Sequence, residues 1–388
     1  MKTPGRVKSQ LPQPRFVLAA LVAFSACERG PDAHEIVHPT AENAPPADAA
    51  RIVRDGSPQD LTSEALASWR SVRDSLLTAR TTLRIGRASG DNDPAVFGRI
   101  SDALVAPWGD IFVLDDQAQE VRIFDSTGRA VQVIGRIGDG PAEFRSANGI
   151  EILGDGRLLV STRSRGLRAF VETSDGWKLD EVIDIPVVPE DMCAVGDRAF
   201  LSGWGQARNT VVHEVVATTD GPHRPFGSGY KAAHWLLRSQ MADGVVGCFQ
   251  EASRVVFAFE LLPVVRSFDP GSRTNTWTAR IEGFAPAEVV EGFDARGAYV
   301  TRRRTDTEDL VGGLHGLGPD HLLLQTARLN SRARTITVNS FLVDARTGNG
   351  ASLGDGLPVI FDPTLERYIA MFEDPFPRIE LRTLNGDR

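Results

Sequence analysis

The chain is poor in cysteine, tyrosine and methionine, carries no excess of positive charge, and has no apolar run long enough to span a bilayer. Three cysteines in 388 residues cannot build a disulfide-rich scaffold. Acidic residues outnumber basic ones, 51 to 43, for a formal net charge of −8. A nucleic-acid binder needs a basic face to displace counterions, so that partner class is set aside. No apolar stretch approaches the ~20 residues of a spanning helix, which predicts a soluble mature body. The seven histidines are scattered and form neither HExxH nor a cysteine–histidine cluster, which argues against zinc. What is present is a 41% hydrophobic fraction, ample for a real core.

The first 26 residues read as an export signal. Lys2, Arg6, Lys8 and Arg15 precede an apolar run of nine, Phe16 to Phe24, and no acidic residue occurs before Glu28. Ser25-Ala26-Cys27 follows and resembles the lipobox of bacterial lipoproteins, with Phe24 where leucine is usual. The resemblance implies diacylation of Cys27 and an envelope location. Glu28 after the cysteine implies the outer membrane. An ordinary signal peptide cut near Cys27 is the alternative. Residues 27–59 are rich in Ala, Pro, Asp and Glu and are expected to be a disordered tether, with His34 and His38 solvated in it. Residues 60–80 fit a helix or an irregular segment docking through Trp69, and 81–388 form the body.

In the body, short runs rich in Val, Ile, Phe and Leu recur between Gly-Asp, Asp-Gly and Pro turns. Gly109-Asp110-Ile111-Phe112-Val113 leads to Val121-Arg122-Ile123-Phe124-Asp125, and the pattern returns at 156–170 and 255–269. Val113 to Phe257 and Phe124 to Phe268 are the same offset, 144 residues, so the units keep one internal register. Each unit reads as a four-stranded antiparallel sheet, too small to be stable until stacked around an axis. The expected fold is therefore all-β: a six-bladed β-propeller, with seven blades as the alternative. The blades are placed at 97–136, 144–186, 190–228, 240–283, 308–355 and 357–388. The last lacks chain for an outer strand, which Thr82 to Ile85 could supply. Residues 285–307 fit no blade.

The segment Gly135-Arg136-Ile137-Gly138-Asp139-Gly140-Pro141-Ala142-Glu143-Phe144 is similar to a GR-x-G-x-GP-x-EF connection in bacterial six-bladed propeller lipoproteins with NHL-like repeats. That resemblance implies fold and location and no particular chemistry. Residue by residue, Gly138 and Gly140 are expected to take positive φ, and Phe144 to plug a junction between blades.

Candidate chemistry is sparse. The glycines of 135–140 lack the helix and Lys-Ser/Thr of a phosphate loop, and Asp91-Asn92-Asp93 lacks the distal Glu of a calcium loop. Propeller lactonases of the regucalcin and paraoxonase type hold a divalent metal on the axis with Glu, Asn and Asp from inner strands. Asn148, Glu151 and Asp191 lie at matching depth, and calcium would be the cofactor under that reading. Arg302, Arg303 and Arg304 precede Asp306, Glu308 and Asp309, giving a solvated, ion-paired loop or an anion-binding loop at the propeller mouth. Cys193 and Cys248 fall on inner strands of neighbouring blades, and two separate buried thiols are preferred over a bridge. The leading expectation is a non-catalytic, lipid-anchored propeller that presents a rim or axial pocket to an envelope protein, a glycan or a small molecule. A metal-dependent hydrolase or lyase is the alternative.

Overall fold

The computed structural model describes residues 36–384, apart from 91, 165, 205–208, 219–220, 250–252, 295 and 304. The export signal, Cys27, Glu28, His34 and Arg304 lie outside the described residues. Six four-stranded antiparallel sheets follow one another along the chain. Their spans are 100–134, 147–183, 188–228, 244–281 and 307–354, and the sixth joins 359–383 to Arg80–Ile85. The first strand of each sheet is innermost. These inner strands touch in ring order, and Val359–Phe361 of the last meets Ile100–Val105 of the first. The fold is a six-bladed β-propeller.

The second strands show why the sequence folds this way. Ile111–Asp115 and Leu158–Thr162 are buried at every position, because each is covered on both faces by neighbouring blades. Continuous apolar runs therefore replace an alternating pattern. The repeat register holds in space: Ile111 pairs with Phe124 in blade 1, and Val255 with Phe268 in blade 4. The ring closes through the N-terminal strand, with Ile85 opposite Ile379 and Leu83 opposite Leu381. Closure hides an edge that would otherwise recruit foreign strands.

The segment before the body departs from the expected disordered tether. Ile36–His38 adds to a hairpin made by Val289–Phe293 and Tyr299–Arg303, which accounts for the stretch that fitted no blade. Ala50–Val53 runs parallel between the outer strands of blades 4 and 5 and fuses them into one nine-stranded sheet. Ile52 is fully buried there. Composition misleads here because the segment needs no core of its own. The hairpin edge and the outer edges of blades 4 and 5 supply its hydrogen-bond partners, and Ile52 and Val53 are buried there. His38 is held rather than solvated: Nδ1 lies 2.7 Å from the Tyr230 hydroxyl and Nε2 3.1 Å from Glu291.

Of the two readings for 60–80, the helix is the one found. It spans Ser63–Thr78, with the Thr62 hydroxyl capping the Ala65 N–H. Trp69 is buried beneath it and donates its indole N–H to the Leu342 carbonyl at 2.8 Å. In the 135–144 connection Phe144 is fully buried between blades 1 and 2, but the positive φ belongs to Gly135. A Cβ there would lie 2.1 Å from the Phe144 ring. Gly138 is small for a different reason, since a Cβ would strike the Glu143 carboxylate at 2.0 Å. That carboxylate is turned inward to pair with Arg136 and accept the Gly140 N–H.

Candidate functional site

Asn148, Glu151 and Asp191 all stand on inner strands facing the axis, and the structure gives them unequal tasks. Asp191 accepts the Val246 N–H of blade 4 at 2.9 Å. Asp102 does the same for Ile150 of blade 2, and Asp362 for Val105 of blade 1, each at 2.9 Å. Asn148 donates to the Pro189 and Glu190 carbonyls of blade 3 at 2.7 and 3.1 Å. Between blades 5 and 6, Gln325 accepts the Ile360 N–H. Between blades 4 and 5 the bond is main chain, from Val311 N–H to Glu260 carbonyl. Every junction in the ring thus carries a polar bond near the axis. β-bulges aim several of these side chains: pairing skips from Ile100 to Asp102, from Ala147 to Gly149 and from Pro189 to Asp191.

Glu151 differs. Burial, followed by the proximity of Asp362, Asp102 and Asp191, holds its carboxyl well above the usual range. Asp362 is pushed up to about 6, again chiefly by burial. Among the described residues no group of three or more His, Cys, Asp or Glu is placed to hold a metal ion. The expected Asn148–Glu151–Asp191 set is therefore brought to one axis but not into one ligand sphere.

The two thiols form a bridge, against the preferred reading of separate buried cysteines. Cys193 and Cys248 are joined across blades 3 and 4, with Cα atoms 5.6 Å apart. The physical reason is the convergence of inner strands at the axis, which carries these two positions inside bridging range.

A second cluster lies at the end of the ring where the inner strands begin. Glu190, Asp243 and Glu308 come from the starts of inner strands in blades 3, 4 and 5, and Arg163 and Glu260 from the adjacent second-strand turns. Arg303 arrives from the inserted hairpin and pairs with Glu308 at 2.6 Å. Arg163 pairs with Glu190. Among the described residues, these four carboxyls thus share the guanidiniums of Arg163 and Arg303. Burial raises the Glu190 carboxyl despite Arg163. Burial, then Glu190 and Glu260, puts Asp243 well above its usual value, and Asp243 Oδ1 has no hydrogen-bond partner among the described residues. Glu260 rises to about 7, mainly through burial, against the pull of Arg303.

Of the arginine triplet, Arg302 is exposed on a hairpin strand and Arg303 is committed to carboxylates. Sequence reading found none of Arg163, Glu190, Asp243 and Glu260, because each sits in a turn or strand start with no motif around it. Asp102 was legible in principle, since it holds the same post-bulge position as Asp191.

Comparison with known proteins agrees on the architecture. A family model described as a 6-bladed beta-propeller matches residues 92–205. The fold is similar to that of a protein described as exported from Bacteroides fragilis, at 10% identity and a TM-score of 0.51, covering 87% of this chain and 99% of that one. A member of the duf4221 family from Bacteroides vulgatus matches at 8% identity and a TM-score of 0.48, over 79% of this chain and 98% of the other. A virginiamycin B lyase from Staphylococcus aureus matches at 11% identity and a TM-score of 0.39, over 78% and 98%. No curated protein matches the sequence.

Proposed function

We propose that this chain is an exported, lipid-anchored propeller that binds a cationic or amine-bearing group at its mouth and performs no chemistry on it. The observation that carries this is the mouth cluster, where Glu190, Asp243, Glu260 and Glu308 share Arg163 and Arg303 as their countercharge among the described residues. An incoming cation would favour the ionised forms of Asp243 and Glu260, which burial now disfavours. Of the axial residues that a hydrolase would need, Asn148 and Asp191 are instead committed to joining blades. The apolar run at 16–24 with Cys27, and an axial disulfide suited to an oxidising compartment, support the envelope location.

Calorimetry with a panel of amines and guanidinium compounds tests the reading. Binding must release protons near neutral pH, because a bound cation favours the ionised form of Glu260, and affinity must rise as pH climbs through about 7. Glu260→Gln must weaken binding and reduce its pH dependence near pH 7. Ester or lactone turnover that disappears with Glu151→Gln would instead establish a hydrolase.

A further inference from the structure

The inserted hairpin and the helix Trp235–Ala242 carry a ridge of rings at the surface, seated on the core through Tyr299. Phe293 stands edge-on to Tyr299 at 5.7 Å, Tyr299 stacks on His234 at 3.4 Å, and His234 on Trp235 at 6.0 Å. The ridge is not core: Phe293 is 67% exposed, Trp235 41% and Leu236 37%. It is also held in shape. Tyr299 donates its hydroxyl to Glu291 at 2.6 Å, His234 caps the Leu236 N–H, and Thr301 donates to Gln240 across hairpin and helix. Isolated exposed apolar residues are ordinary on a protein surface; a braced, contiguous set is not.

The route of the chain says what covers it. Ile36–His38 is the edge strand of this same three-stranded sheet, with Ile36 opposite Glu291 and His38 opposite Val289. The strand therefore enters from the end at which Phe293 and the hairpin tip project. Cys27 lies nine residues before Ile36, so a lipid on that cysteine stands at most about 30 Å away along a fully extended chain. Amphipathic rings such as Trp and Tyr favour the boundary between headgroups and acyl chains.

We infer that the ridge Phe293–Tyr299–His234–Trp235, with Leu236, docks on a phospholipid bilayer beside the lipid anchor. This rests on the reading of Cys27 as the anchored residue. The diacyl anchor holds the chain at the bilayer, and the ridge sets how the ring lies against it. The hairpin and helix both lie in connections from an outer strand to the next inner strand, so the docked ring turns its mouth toward the membrane.

The test uses the full chain isolated from a membrane fraction and reconstituted in vesicles of phosphatidylethanolamine and phosphatidylglycerol with brominated acyl chains. Tryptophan emission should be quenched. Trp235→Phe should remove the quenched component, whereas Trp108→Phe, on the opposite face of the ring, should keep it. Phe293→Ser should cut quenching about twofold or more by lifting the ridge. Equal quenching in the native chain and Trp235→Phe overturns the inference. So does a change from dimer to monomer on Phe293→Ser, which would assign the ridge to a second copy. Intact mass of the same preparation reports acylation of Cys27 separately. If the cysteine is free, added vesicles that still quench Trp235 uphold docking without the anchor, and vesicles that do not quench it overturn docking as well.

Discussion

The axis and the mouth of the ring are built from the same residue types and behave in opposite ways. At the axis Asp102, Asp191 and Asp362 each receive a main-chain N–H from the next blade. At the mouth, among the described residues, Glu190, Asp243 and Glu260 receive no such donor from an adjoining inner strand, and two arginines serve four carboxyls. A carboxylate with a backbone donor stabilises the fold. One without is kept by burial in a state ready to exchange a proton or accept a cation. Glu151 and Asp362 are the exceptions on the axis: burial and three neighbouring acids raise Glu151, and burial raises Asp362 to about 6 despite its main-chain donor.

Substitutions at the junction of blades 3 and 4 should show the structural half of the contrast most strongly. Replacing Cys193 and Cys248 with alanine opens a 55-residue separation and should cost about 4 kcal/mol in denaturant unfolding, from loop-closure entropy. A loss below about 1 kcal/mol would mean that the inner strands hold together without the bridge. Asp191→Ala leaves the Val246 N–H unpaired and should cost about 2 kcal/mol at the same junction.

Smaller, and of opposite sign, is the expected effect of Glu260→Gln. Glu260 binds its proton more tightly when folded, to about 7 against an ordinary value near 4.5. Its contribution is therefore fully present below the ordinary value, falls as pH rises, and is lost above about 7. Asp362, at about 6, adds to the same slope. Glutamine should raise stability by about 1 kcal/mol at neutral pH and flatten the slope between about pH 5 and 7, the full shift being reduced by partial solvent access and coupled neighbours. Destabilisation at every pH would mean that the mouth carboxyls brace the ring as the axial ones do.

The ring was legible because burial on both faces writes itself into the second strands. Ile111 to Leu114 and Val255 to Phe259 can be aligned by eye, and the incomplete last blade points to the strand at 80–85. The segment 36–53 was not legible, since its order comes from the edges it joins and not from its own composition. At the axis, residue type and depth located Asn148, Glu151 and Asp191, but whether a side chain serves a ligand or a neighbouring blade depends on bulges that carry no sequence mark. The mouth was invisible because its members come from blades 2 to 5 and from an insertion, separated by up to 145 residues between Arg163 and Glu308.

The most direct test of the contrast is thermal unfolding of the native chain, Asp191→Ala and Glu260→Gln in parallel from about pH 5 to pH 8. The native midpoint should fall as pH rises through about 7. Asp191→Ala should lie below it throughout, and Glu260→Gln should meet it at the acid end and exceed it at the alkaline end. If instead Asp191→Ala unfolds like the native chain while Glu260→Gln lies below it throughout, the axis is the dispensable region and the mouth the structural one.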